Sequence, residues 1–386
     1  MDDDKQVAPA EPSRSNHEAA SDGARRSVTG LLASLAGWLD RIDPSTHRRI
    51  KGLRLVTAYG IAVMLGGMPE IDRGIAGGAS PSVLAGGFAL WASVSEGRST
   101  RGDSSRDLLL LCTAAALGAA IFILLSPLLT GIGHAGSELT LATGAFLVGY
   151  LKRFGILGAG IGSQVFIGQL LAYGAGLTEA DIAMVGVAAA VATLAAIVPR
   201  VLSGPAERPP PIPSAPASIG GRDGLSPELV AGLQAAASTL VIVALNDMIG
   251  LAESAWAITA CAYVVTSSPT GTIERVRRRI MGTAVGVPLG LICLPIAVDA
   301  PLLIWAAAAL AMIIYAMALP ERYDIACGAY AFTLVVTLAV TGEHSIWLLA
   351  ARAWETLLGG ALGLAAAMLL APLQTARTGR PPPDGG

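Results

Sequence analysis

The chain has 386 residues, of which 53% are hydrophobic and 14% charged, and its mean hydropathy is +0.61. A soluble domain carries about 25% charged residues, so this chain cannot wet its whole surface and lipid must cover much of it. The formal net charge of -2 excludes little; where the charges sit along the chain decides more.

The chain opens on Met1-Asp2-Asp3-Asp4, an acidic start unlike the basic n-region of a signal peptide. Residues 1–50 read as a polar cytoplasmic tail. Within it Leu31, Leu32, Leu35, Trp38 and Leu39 recur at helical spacing, which predicts a helix lying in the membrane interface near 28–42.

A helix crosses the hydrocarbon core with about 20 apolar residues. The apolar segments that follow the tail fall at 54–69, 80–95, 108–130, 139–151, 155–175, 182–203, 229–247, 255–271, 280–298, 301–319, 325–341 and 346–371. The expected fold is therefore all-α and polytopic, with about twelve transmembrane helices. Charge asymmetry sets their direction. With the N-terminus in the cytoplasm, the inner loops hold Arg98, Arg101, Arg106, Lys152, Arg153, Arg200, Arg275, Arg277, Arg278, Arg279 and Arg322. The outer loops hold Arg73 as their one basic residue, beside Glu70, Asp72, Glu138, Glu179, Asp181, Asp247, Glu253, Asp299 and Glu343. Both termini are thus expected in the cytoplasm, and the location expected is the inner (plasma) membrane of a bacterial-type cell.

Residues 204–227 are rich in Pro and Gly and read as a hydrophilic cytoplasmic linker. The linker divides a first six-helix half, 51–203, from a second, 228–373, and residues 374–386 form a polar cytoplasmic tail. The halves look alike: shifted by 172 residues, Ser82 meets Ser254, Ala85 meets Ala257, Ser95 meets Ser267 and Arg106 meets Arg278. Inside the second half, Arg279, Thr283, Gly286 and Gly290 recur 73 residues later as Arg352, Thr356, Gly359 and Gly363. The two sets enter the membrane from opposite sides, the pattern of an inverted 3+3 repeat.

The stretch Ala255-Trp256-Ala257-Ile258-Thr259-Ala260, the basic run ending at Arg279, Gly282-Thr283-x-x-Gly286 and Arg352-x-x-Glu355-Thr356-x-x-Gly359 resemble the fusaric acid resistance (FUSC) family. The resemblance is clear over 228–372 and fainter over 51–203. It implies an exporter of aromatic carboxylic acids, some relatives of which work with a periplasmic adaptor subunit. Members of that family carry a large cytoplasmic domain; this sequence resembles a short form with only the linker in its place.

Arg352 and Glu355 share one helix face at i, i+3, deep in an apolar segment where an ionisable group is costly. Either Arg352 attracts a substrate carboxylate while Glu355 competes for it or carries a coupling proton, or the two neutralise each other and lock the packing. The second and eighth segments are short and interrupted by Gly and Pro, which points to a substrate site lined by Trp91, Trp256, Thr259, Tyr263 and Thr266. Trp256 also fits an interfacial aromatic belt. Gln164, Gln169 and Asn246 read as amides that join helices. The run Arg275, Arg277, Arg278 and Arg279 reads as a topology determinant and anionic-lipid contact, or as a basic inner mouth that concentrates anions. Gly282, Gly286 and Gly290 follow the close-packing spacing of small residues, and Thr283, Thr356, Gly359 and Gly363 belong to the same motif.

No phosphate-binding loop, catalytic triad or cluster of metal ligands stands out in the sequence, so neither an enzyme, a cofactor nor a metal is expected. The expected partners are the lipid bilayer, a small organic anion and either a periplasmic adaptor subunit or further copies of the chain; no nucleic acid is expected. The function expected is proton-coupled efflux of aromatic or other small organic acids. A passive organic-anion channel and a non-transporting membrane scaffold are the alternatives.

Overall fold

The computed structural model describes residues 47–72, 80–97, 100–203, 226–251, 254–265, 269–319, 321–340 and 346–369, besides Gly37 and Asp43. The chain clusters into two units, Met1–Thr46 and His47–Gly386, and the helices below all belong to the second. The interfacial helix expected near 28–42, most of the linker 204–227, Thr266 and the tail 374–386 lie outside the described residues, Gly37 apart.

Among the described residues there are helices and no strands. The first half contributes α1 (His47–Gly66), α2 (Pro81–Ser95), α3 (Arg101–Leu129), α4 (Leu141–Tyr150), α5 (Gly155–Gly174) and α6 (Ile182–Leu202). The second contributes α7 (Pro227–Ile249), α8 (Ser254–Val264), α9 (Pro269–Ile292), α10 (Pro301–Ala318), α11 (Tyr323–Val340) and α12 (Ile346–Leu369). Local chemistry sets several boundaries. Ser80 and Ser226 cap α2 and α7 through their hydroxyls, each with proline as the first helical residue, where a missing N–H costs nothing. Gly155, at φ 76°, separates the 3₁₀ turn Leu151–Phe154 from α5, a conformation that other residues enter at a cost.

Among the described residues, five stretches are long and apolar enough to cross a membrane: Arg101–Leu129, Gly136–Gly174, Glu179–Leu202, Pro227–Ile249 and Pro301–Ala318. This makes the chain a multi-pass membrane protein. The ten residues of α4 span about 15 Å at 1.5 Å each, half of a core of about 30 Å. The chain breaks at Gly155 and α5 packs back on α4, with Gly144 against Phe166 and Gly162 against Leu147. Several expected boundaries move: α1 and α3 start at His47 and Arg101 and not at 54 and 108, which places Arg101 and Arg106 inside a helix. The segment expected at 280–298 starts at Pro269 and ends at Ile292, so the basic run lies inside α9 and not in a loop before it. Proline opens that helix, and the long stems of arginine let charged heads reach water from a helical backbone.

Helix pairing follows the same order in each half. In the first, α1 packs on α2 and α6, α2 on α6, α3 on α5 and α6, and α4 on α5. In the second, α7 packs on α8 and α12, α8 on α12, α9 on α11 and α12, and α10 on α11. Between the halves, α4 packs on α7 and α10 on α1. Lipid gives helices no hydrophobic drive toward each other, so small residues set these approaches. A Cβ on Gly118 of α3 would collide with the Val165 carbonyl of α5, and one on Gly168 of α5 with the Ala115 carbonyl of α3. Likewise a Cβ on Gly286 of α9 would strike the Gly328 carbonyl of α11, and one on Gly359 of α12 the Ala257 carbonyl of α8.

Polar contacts gather at the two ends of the bundle. At one end Arg48 pairs with Glu321 at 2.5 Å, Arg54 with Glu96 at 3.6 Å, and Arg200 donates to the Ser104 hydroxyl at 2.8 Å. At the other end the carboxylate of Glu138 gathers donors from α5, α7 and α8.

Candidate functional site

The helix α9 turns one arginine away from the others. Arg275 is exposed and lies over the Tyr323 ring, 5.9 Å from its centroid. Arg277 is exposed. Arg278 pairs with Glu274 at 2.6 Å and donates to the Glu321 carbonyl at 2.9 Å. Arg279 instead lines an internal cavity, and Thr283 and Val287 line it too. The spacing of i, i+4 and i+8 puts these three on one stripe of the helix. The stripe of Gly282, Gly286 and Gly290 lies beside it and abuts Cys327, Gly328 and Val335 of α11. Close approach of α9 to α11 thus sets the cavity wall.

The opposite wall is Trp256 of α8, Cys327, Tyr330, Ala331, Leu334 and Val335 of α11, and Thr356 of α12. The Arg279 guanidinium reaches the Tyr323 hydroxyl through one terminal nitrogen at 3.4 Å, while its buried Nε has no hydrogen-bond acceptor among the described residues. The cavity volume is about 40 Å³. A water needs about 10–15 Å³ of such space, whereas pockets for drug-sized ligands measure about 300–1,000 Å³. The conformation seen is closed around a few waters' worth of space.

Aromatic rings from both halves meet at Tyr330. Trp91 of α2 meets Tyr330 edge-on at 5.3 Å and Tyr315 of α10 at 6.1 Å, and Trp256 lies 6.3 Å from Tyr330. Such tilted and edge-to-face contacts match the charge distribution of the rings. Two of the tryptophans expected at a substrate site therefore meet one tyrosine, across the two halves.

Thr259 and Tyr263 are not among the residues that line this cavity. Thr259 returns its hydroxyl to the Ala255 carbonyl at 2.7 Å, within its own helix. The Tyr263 hydroxyl meets that of Ser163 on α5 at 2.6 Å and its ring packs on Phe166. Glu355 is fully buried in the third turn of α12, and the side chain of Arg352 lies outside the described residues. Gln164 bridges to Ser95 at 3.1 Å and Gln169 to Thr143 at 2.9 Å, so both join helices within the first half.

Tyr315 and Tyr330 escaped the sequence reading. A tyrosine inside an apolar segment, one turn after a cysteine and one turn before a leucine of the same face, is the signal that marks Tyr330. Among the described residues no group of three or more His, Cys, Asp or Glu side chains is placed to hold a metal ion.

Residues 238–366 match the family described as fusaric acid resistance protein-like. The match bears out the resemblance read from the sequence and contains every residue that lines the cavity. No curated protein and no solved structure matches the chain.

Proposed function

We propose that the chain is an inner-membrane exporter of small aromatic or related organic acids, driven by the proton gradient, with both termini in the cytoplasm. The family match, to proteins named for resistance to an aromatic acid, supports the export role. The observation that carries the substrate class is Arg279 at the wall of an apolar cavity with Trp256 and Tyr330. A guanidinium binds a carboxylate through paired N–H donors. The indole and phenol faces suit the ring of the same molecule, and the hydroxyls of Thr283 and Thr356 add hydrogen bonds at the cavity edge.

A cavity of about 40 Å³ admits no aromatic acid, so binding needs α8 or α12 to move against α9 and α11. That requirement is the alternating-access behaviour of repeat-built transporters. We read the halves 51–203 and 228–373 as two copies of one six-helix unit joined by the linker 204–227. The shared order of helix pairing supports this. The recurrence of the α9 motif in α12, with Gly286 on α11 and Gly359 on α8, fits an inverted arrangement within the second copy.

The test is efflux of a panel of labelled aromatic acids from cells with and without the protein, with and without an uncoupler, beside Arg279→Ala. Faster efflux that the uncoupler stops and the variant loses supports the exporter. Uncoupler-insensitive flux that reverses at the anion's equilibrium potential would assign a passive channel, and no flux of any acid would overturn transport.

A further inference from the structure

Glu138 stands in the short turn Gly136–Thr140 that leads into α4, and it is 2% exposed. Its Oε1 accepts three hydrogen bonds: from the Tyr173 hydroxyl of α5 at 2.6 Å, the Asn246 amide of α7 at 2.8 Å and the Ser254 hydroxyl of α8 at 2.6 Å. Its Oε2 is buried and has no hydrogen-bond partner among the described residues. No cation pairs with the carboxyl group among the described residues. A buried carboxylate without a countercharge is costly.

Among the described residues, few other acids or bases stand near it. On α7, Asp247 accepts from the Ala135 N–H at 3.2 Å and adds a second negative group. On the same loop His134 is exposed. The turn packs on the last residues of α3, where Gly136 abuts the Leu129 carbonyl, while the ionisable groups Arg101, Asp103, Arg106, Asp107 and Cys112 lie in the first half of that helix. The helix α4 carries only Tyr150, at its far end, and α5 only Tyr173. The helix α8 carries Cys261 and Tyr263, about two turns deeper than Ser254.

We propose that Glu138 is a proton-binding site and that its proton is the one the gradient drives; this second clause rests on the proton-driven export proposed above. The geometry serves two states. As a carboxylate, Glu138 holds α5 of the first half to α7 and α8 of the second through three charge-assisted hydrogen bonds. A proton taken from water at that end of the bundle forms an O–H bond on Oε2, the oxygen with an open lone pair. The charge disappears, the three bonds to Oε1 weaken to neutral strength, and the halves are freed to shift. Release of the proton restores the clasp.

The test is infrared difference spectroscopy of the protein reconstituted in lipid, recorded across a pH series in wild type, Glu138→Gln, Glu138→Asp and Ser254→Ala. The expected result is a pH-dependent band of a protonated buried carboxyl group. It is lost in Glu138→Gln and displaced in Glu138→Asp. In Ser254→Ala its midpoint moves to higher pH, because the charged form has lost a donor. A band unchanged in Glu138→Gln overturns the proposal. Carboxylate bands that answer sodium concentration and not pH also overturn it, in favour of an alkali cation. This readout needs no substrate, so it stands even where no acid is exported. With an exported acid in hand, Glu138→Gln is expected to lose gradient-driven efflux and keep substrate exchange; loss of both overturns the coupling role.

Discussion

At positions 256, 283 and 356 the second half sets Trp, Thr and Thr around a cavity with Arg279. At the positions 172 residues earlier, the first half sets Leu84, Leu111 and Met184 into one apolar core, each at most 2% exposed. Where the second half has Arg279, the first has the buried Asp107. The halves share most of their helix pairings, but α2 also packs on α5 in the first half, so helix contacts as well as side chains differ at this place. Branched and flexible apolar groups fill the space among α2, α3 and α6, while two hydroxyls and a guanidinium join the mainly apolar lining of the space among α8, α9, α11 and α12. The place that is a packed apolar core among α2, α3 and α6 is thus a lined cavity among α8, α9 and α12.

Exchanging residues between the halves breaks this comparison most sharply. Leu111→Thr is expected to cost about 2–4 kcal/mol, as other losses of buried methyl groups do, read by thermal unfolding in detergent. The reverse change, Thr283→Leu, is expected to move stability by about 1 kcal/mol or less, because it fills existing space, and to stop efflux. Equal destabilisation by both changes would show that the cavity is packed to the same purpose as the core. Next in size, Arg279→Ala is expected to weaken acid binding by about 1.5–3 kcal/mol, the worth of hydrogen bonds to a charged group. Concentration-dependent efflux reads that loss, and Arg277→Ala should change it far less. Gly118→Ala and Gly286→Ala each force a methyl group toward a carbonyl of the facing helix and should cost about 1–3 kcal/mol, again by unfolding. A cost confined to Gly118→Ala would mean that the α9–α11 crossing relaxes where α3–α5 does not.

The smallest effect is a pH dependence at the end of the bundle. Arg48 holds the Glu321 carboxyl below the usual carboxylate range, first through its hydrogen bond and then through its charge. A carboxyl lowered in the folded state stabilises above its unfolded value and loses that contribution as pH falls through the lower folded one. Acid unfolding of Arg48→Ala should therefore depend on pH slightly less than that of wild type below the usual carboxylate range. The pair is exposed, so salt should erase the difference.

Helix positions were legible because apolar runs and their breaks are local properties. Trp256 was legible from its short, interrupted segment, and Thr283 and Thr356 stood out through the motif they share, read there as helix packing. Arg279 was read with its neighbours as part of a loop, although its four-residue step to Thr283 already placed it on the inward stripe of a helix. What hid it was the expected start of that helix at 280, eleven residues late. Glu138 looked like any acid of an outer loop, beside Gly136 and Ser137. Its burial comes from Tyr173, Asn246 and Ser254, which are distant in sequence, and no local pattern announces such a meeting. The cluster of Trp91, Tyr315 and Tyr330 is likewise a product of how α2 meets α10 and α11.

The crossing between the halves runs in both directions, fourth helix on first helix: α4 on α7 and α10 on α1. Such a contact is self-complementary, with the same two surfaces meeting twice about one axis, as in an isologous dimer of identical subunits. On the two-copy reading, the present chain is a dimer made permanent by fusion. On that reading, fusion releases each copy from having to match the other at every position, as at Leu84, Leu111 and Met184 against Trp256, Thr283 and Thr356.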